Sequence, residues 1–255
     1  MMKLTVIKIG GNVVDSANAR SVFYEQLRTL NTATILVHGG GKVATELSAS
    51  LGIPTTMIEG RRVTDAETLR VVTMVYAGLI NKQLVAELQS HNINALGITG
   101  ADANCIRAHK RRHSQHDYGF VGDVDSVNTK FLTQLVQHDI VPVIAPLTHD
   151  GSGQLLNTNA DTIAAQVASA LAQTFTVDIV YCFEKLGVLK NVENDTSLIP
   201  SLTQTEYTEL KANGIVAQGM IPKLDNAYSA IERGVRSVRI THYSNVNGGT
   251  LLTIG

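Results

Sequence analysis

Seven short runs of the 255-residue chain are almost wholly apolar and rich in β-branched residues: 4–9, 34–37, 95–99, 141–145, 177–182, 238–241 and 251–254. They do not alternate apolar with polar, so as strands they must be covered on both faces. Between them lie stretches with a helical period, at about 17–30, 42–51, 65–90, 129–138, 160–173, 204–212 and 220–233. In the 160–173 stretch Ile163, Val167 and Leu171 recur every four residues and give one buried stripe. Thr64 with Glu67, and Thr203 with Glu206, form capping-box patterns ahead of two of the helices. Strand–helix alternation over the whole length predicts the α/β class, a three-layer αβα sandwich on a mostly parallel central sheet. No Pro/Gly/Ser linker and no internal repeat interrupts it. The expectation is therefore one domain, 1–255, with two lobes, 1–173 and 174–255, divided at a faint compositional break near 172–177.

One segment departs from the pattern. Residues 105–127, "CIRAHKRRHSQHDYGFVGDVDSV", are polar and turn-rich, and read as a β-hairpin excursion. Within it His109, His113 and His116 could ligate a metal, or Lys110, Arg111 and Arg112 could meet nucleic acid. A basic run without interleaved aromatics is poor grounds for the second, and a hairpin tip lacks the fixed surroundings a metal site needs. A solvated loop is the reading preferred. Net charge is −1, so no global field draws in nucleic acid or an anionic membrane. No apolar run reaches the roughly 18 residues of a membrane span, and Met1 leads straight into a strand without a secretory pattern. Cys105 and Cys182 stand far apart, in no metal-like spacing, and read as free thiols. The expected location is the cytoplasm.

Chemistry concentrates at two glycine loops. "VIKIGGN" ends its strand on Lys8 and passes at once to Gly10 and Gly11; "VHGGGKV" does the same after the second strand, with Gly39, Gly40 and Gly41. In open α/β sheets ligands bind at the carboxyl edge of the strands. Glycines there let backbone N–H groups approach an oxyanion, and a lysine adds a point charge. Either loop alone would serve as a tight turn; together they suggest a doubly anionic set of substrates. The second is not a P-loop, because Leu36 and Val43 stand where that pattern requires Gly and Ser or Thr, and no G-x-G-x-x-G follows the first strand.

Two further segments are over-supplied with polar groups. In "GQLLNTNADT" Asn157, Asn159 and Asp161 alternate into a helix start, where one cap needs only one of them. If the segment is extended, all three share a face. In "QGMIPKLDNA" Gly219 and Lys223 lie at the first turn of a helix, where a cation opposes the macrodipole by about 0.3–1 kcal/mol. A solvated lysine and an anion ligand both remain open for Lys223.

Taken in order, "KIGGN", "VHGGGK", "GRRVTD", "GFVGDV", "VPVIAPL", "LLNTNADT" and "QGMIPK" resemble the N-acetylglutamate kinase branch of the amino acid kinase family, over nearly the whole chain. The resemblance implies ATP-dependent phosphorylation of the side-chain carboxylate of an N-acylated glutamate, with ATP and Mg²⁺. By analogy Lys8 and Lys223 would bracket the moving phosphoryl group and Asp161 would orient them. Gly40, Gly41, Arg62, Asn157 and Asn159 would hold the amino-acid substrate. Gly10, Gly11, Glu184, Gly187 and Gly219 would serve the nucleotide, and no protein ligand for a metal is named.

The chain departs from the family in two places. "CFEKLGV", 182–188, keeps Gly187 but has Glu184 where aspartate is usual. Arg61 precedes Arg62 where an apolar residue is common, which raises N-succinyl-L-glutamate as an alternative substrate. A catalytically dead amino-acid sensor on the same fold is the other alternative; joint retention of Lys8, Asp161 and Lys223 argues against it. Arginine-inhibited members resemble one another in a helix before the first strand, so a homodimer without arginine feedback is expected here.

Overall fold

The expected strands and helices alternate along the chain in a computed structural model, which describes residues 1–58, 60–191, 193–216 and 220–254, without the side chain of Pro222. In chain order they are β1 (Lys3–Ile9), α1 (Gly11–Asp15), α2 (Ala17–Arg28), β2 (Ala33–His38), α3 (Gly41–Ser50), β3 (Met57–Ile58), β4 (Arg61–Arg62), α4 (Ala66–Val72), a π-helical segment (Thr73–Ile80), α5 (Asn81–Ser90), β5 (Ala95–Ile98), β6 (Ile106–Lys110), β7 (Gly122–Val127) and α6 (Thr129–Gln137). There follow β8 (Val141–Ile144), β9 (Leu147–His149), β10 (Leu155–Asn157), α7 (Ala160–Leu171), β11 (Thr176–Phe183), β12 (Ser201–Thr203), α8 (Gln204–Ala212), α9 (Ile221–Glu232), β13 (Ser237–His242) and β14 (Thr250–Thr253). The chain divides into two units, residues 1–34 with 164–255, and residues 35–163.

In the first unit β1 pairs in parallel with β11, and β11 with β13. β14 turns antiparallel against β13 and carries the short β12 in parallel on its other side. β1 is buried from Leu4 to Ile9, and β11 is largely so. This is the two-sided burial that the unbroken apolar runs require. Ser16 caps α2 by accepting from the Ala19 N–H (3.2 Å), and Thr203 with Glu206 completes a reciprocal capping box on α8.

In the second unit β8 lies between β2 and β5, parallel to both. The 105–127 excursion is a hairpin of β6 and β7, as expected, but it belongs to a four-stranded sheet ordered β10-β9-β6-β7. β9 and β10 are three residues each, too short and too polar to announce themselves in the sequence. The expected 65–90 helix is α4, the π-helical segment and α5 run together. Its cap is Asp65, whose carboxylate accepts from the Thr68 N–H (2.8 Å). Thr64, expected in that role, is buried and its hydroxyl donates to the Arg62 carbonyl (2.9 Å). Among the described residues no helix is long and apolar enough to cross a membrane.

Candidate active site

Each unit carries its own cluster of the sequence-predicted residues. In the first, Lys8 is the penultimate residue of β1 and only 7% exposed. Its ammonium lies 5.1 Å from the centroid of the Phe183 ring. Lys223, in the first turn of α9, places its ammonium 3.9 Å from the same centroid. The two nitrogens are therefore no further apart than those distances added together, although the residues lie more than 200 positions apart in the chain. Phe183 closes β11 and is stacked on Tyr181, with ring centroids 6.4 Å apart. Each cation gains about 0.5–2 kcal/mol from the ring face. Two cations meeting at one ring suit a ligand that carries several negative charges.

The glycines beside them have separate jobs. The Gly10 N–H donates to the Cys182 carbonyl (3.1 Å) and so extends the β1–β11 ladder by one residue. A Cβ on Gly10 would sit 3.4 Å from Phe183 Cδ1, so glycine lets the ring lie against the backbone. Gly11 opens α1, where the first N–H groups have no partner within the helix. Glu184 follows Phe183 and is exposed. Gly187 is enclosed: a Cβ there would meet Leu198 Cδ1 and Thr250 Oγ1, each 2.7 Å away. The Thr250 hydroxyl accepts from the Val188 N–H (2.8 Å) and donates to the Ile199 carbonyl (2.6 Å). Burial pushes the Cys182 thiol up to about 12, with Lys8 opposing. Gly219 lies outside the described residues.

The second unit brings Gly40, Gly41, Arg62, Asn157 and Thr64 together. Arg62 is buried, and its Nη2 donates to the Gly41 carbonyl (2.9 Å) and the Thr45 hydroxyl (2.8 Å), while Nη1 donates to the Thr55 hydroxyl (3.1 Å). The Tyr76 hydroxyl also pairs with this guanidinium; burial raises its pKa, with Arg62 opposing. Gly40 is packed from the π-helical segment: a Cβ there would collide with Ile80 Cδ1 and stand 3.0 Å from Tyr76 Cδ1. Asn157, at the end of β10, donates from Nδ2 to the Thr64 hydroxyl (3.0 Å) and from its backbone N–H to Phe120 O (2.8 Å). Gly119 (φ +68°) makes the close approach of this loop possible, because a Cβ would strike the Thr64 carbonyl.

Asn159 and Asp161 do not share an extended face with Asn157. The helix begins at Ala160, so Asp161 falls in its first turn, where it is buried. The Asn159 carboxamide oxygen accepts from the Thr162 N–H (3.1 Å) and caps the helix. One cap was needed and Asn159 supplies it. Thr45, Thr55, Thr64, Tyr76 and Phe183 were not legible as site residues, since threonines and aromatics in apolar surroundings read as ordinary core.

At the hairpin tip Asp125 accepts from His109 (2.6 Å), and His113 and His116 stack with each other against Tyr118. Among the described residues no group of three or more His, Cys, Asp or Glu could hold a metal.

The family model of the amino acid kinase family matches residues 3–242. The chain belongs to the amino acid kinase family. It is 54% identical over 248 residues to the acetylglutamate kinase of Phocaeicola vulgatus, covering 97% of this chain and 96% of that protein. The acetylglutamate kinase of Methanopyrus kandleri is 40% identical, with 96% and 98% covered. Among solved amino acid kinase-like folds, a crystal structure from Streptococcus mutans has a TM-score of 0.85 at 27% identity, covering 99% of both chains. Carbamate kinase from Giardia lamblia has a TM-score of 0.71 at 12% identity, covering 100% of this chain and 99% of that one, and shares the fold.

Proposed function

We propose that the protein transfers the γ-phosphoryl group of ATP to the side-chain carboxylate of N-acetyl-L-glutamate, the second step of arginine biosynthesis. The observation that carries the reading is the meeting of Lys8 and Lys223 at the Phe183 ring. It is supported by relatives named acetylglutamate kinase at half identity or more over nearly their full lengths.

Phosphoryl transfer asks little covalent chemistry of the protein; positioning and charge stabilisation do most of the catalysis. The acceptor is already a carboxylate, so no general base is required. What opposes reaction is repulsion between that carboxylate and the polyphosphate. Lys8 and Lys223 offset it by stabilising charge on the moving group. Gly11 donates its amide to the phosphate oxygens, and Gly10 holds the backbone close to Phe183. Glu184, Gly187 and Gly219 shape the nucleotide side, within 174–255. Gly40, Gly41, Arg62, Asn157 and Asn159 hold the acyl-glutamate, within 1–173; the planar guanidinium suits its α-carboxylate. Mg²⁺ would be held largely through the phosphates of ATP and, when bound, would supply charge neutralisation there.

Arg61, on β4 beside Arg62, supports a second reading in which the acyl group carries a further carboxylate, as in N-succinyl-L-glutamate. Relative kcat/KM for the two acyl-glutamates decides between them; a strong acetyl preference ends the succinyl reading. We further propose a cytoplasmic homodimer. The two buried free cysteines fit a reducing compartment. Exposed Met74 and Leu79 on the π-helical segment and Leu96 on β5, the last strand of its sheet, are large apolar side chains of the kind that a second copy would cover. Light scattering tests the dimer, and an ATP-turnover assay with N-acetyl-L-glutamate tests the reaction.

A further inference from the structure

The "HGGGK" loop owes its shape to carbonyls that are each held by a donor. The Gly40 carbonyl accepts from the Ala44 N–H (3.1 Å). The Gly41 carbonyl accepts from Arg62 Nη2 (2.9 Å) and the Thr45 hydroxyl (2.8 Å). The Gly39 carbonyl is bonded to Nδ1 of His38 (2.7 Å), a side chain with no exposed surface. Among the described residues no peptide is cis. In a trans peptide the C=O and the following N–H point in opposite directions. Fixing the Gly39 carbonyl therefore aims the Gly40 N–H, just as the other two bonds aim those of Gly41 and Lys42.

A chain of partners sets which nitrogen of His38 carries the proton. Lys82 Nζ donates to Asn81 Oδ1 (3.1 Å) and to the Gly97 carbonyl (2.8 Å), so Oδ1 is the acceptor end of that carboxamide. Asn81 Nδ2 is then the donor, to the Val143 carbonyl (2.9 Å) and to His38 Nε2 (3.2 Å). Nε2 must accept, which leaves the proton on Nδ1, facing Gly39. Burial holds the imidazole pKa down to about 4, so the ring is neutral at physiological pH. Gly97 makes room for the relay, because a Cβ there would overlap Asn81 Oδ1. The π-helical segment delivers Asn81: bonding i to i+5 lets Tyr76, Ile80 and Asn81 turn toward one side, whereas α-helical spacing would carry the fifth residue away.

We propose that His38, locked as the neutral Nδ1–H tautomer by Asn81 and Lys82, is a positioning residue that aims the Gly40 N–H at the carboxylate of the bound acyl-glutamate. This rests on the assignment of that substrate to the Gly40–Gly41 loop. His38→Asn keeps a donor near the place of Nδ1, and His38→Gln keeps an acceptor near the place of Nε2.

The test combines nitrogen NMR of the wild-type ring with steady-state kinetics of both variants, each first shown by thermal melting to be folded. From pH 6 to 8 the His38 resonance, assigned by its loss in a folded His38 variant, should report a neutral ring with the proton on Nδ1. A proton on Nε2, or a charged ring, overturns the proposal. His38→Gln should raise the KM for N-acetyl-L-glutamate about tenfold, the scale of one lost oriented hydrogen bond, and leave the KM for ATP unchanged. His38→Asn should stay within about threefold of wild type on the same scale. Equal KM values in the two folded variants overturn the proposal. If either variant fails to fold, the tautomer decides. Should wild type show no turnover of N-acetyl-L-glutamate, the proposed reaction fails, and the tautomer still decides whether the relay exists.

Discussion

Lys223 rests its ammonium 3.9 Å from the centroid of the Phe183 ring, on a surface that it shares with Lys8. An aromatic face attracts a cation without neutralising it. Phe183→Leu keeps an apolar side chain at the end of β11 and removes that attraction. We expect kcat to fall roughly 2–30-fold, the scale of about 0.5–2 kcal/mol, with little change in melting temperature. An unchanged kcat would show that the ring does not place the lysines.

Arg62 holds the Gly41 carbonyl and the hydroxyls of Thr45 and Thr55 together. A lysine keeps the charge but lacks the planar fork. Arg62→Lys should raise the KM for acyl-glutamate about tenfold or more and leave that for ATP within about twofold. Equal shifts in both constants would mean a general loss of structure.

Gly40 has Ile80 Cδ1 and Tyr76 where a side chain would go. Gly40→Ala should destabilise the protein by about 1–3 kcal/mol, the range for overpacking a tight site, measured by urea unfolding. Adding Ile80→Val, which removes the colliding methyl, should restore part of that loss. No restoration would place the cost in the backbone, not in the collision.

His38 titrates near 4 in the fold because of its burial and near 6.5 in the unfolded chain. Below 6.5 the unfolded chain takes up the proton and the fold does not. The contribution of His38 to stability is therefore present above pH 6.5 and is lost as pH falls toward 4. At 1.36 kcal/mol per unit it amounts to at most about 3 kcal/mol. Between pH 6.5 and 4 wild type should lose more unfolding free energy than His38→Asn by that order; equal losses would contradict it.

The long strands were legible because two-sided burial leaves an unbroken apolar run; β1, β2, β5, β8, β11, β13 and β14 all fall within a residue or two of their expected places. Lys8 was legible as the one charge at the end of such a run. The partner surface was not: Phe183 closes another apolar strand and looks like core until the fold sets it beside Gly10. The π-helical segment was hidden for a related reason. "TMVYAGLI" is so uniformly apolar that no periodicity separates a fourth-residue from a fifth-residue repeat. Asp65 displaced Thr64 as a helix cap because the Thr64 hydroxyl is engaged by Asn157 and the Arg62 carbonyl. That competition comes from residues remote in the chain, which local spacing cannot show.

The most direct measurement is turnover of ATP with N-acetyl-L-glutamate by wild type, Lys8→Ala and Lys223→Ala, each shown to be folded. Wild type should phosphorylate the substrate, and each variant should lose about 10²-fold or more in kcat, as when a preorganised charge partner of the transition state is removed. Near-normal kcat in both folded variants would contradict the account.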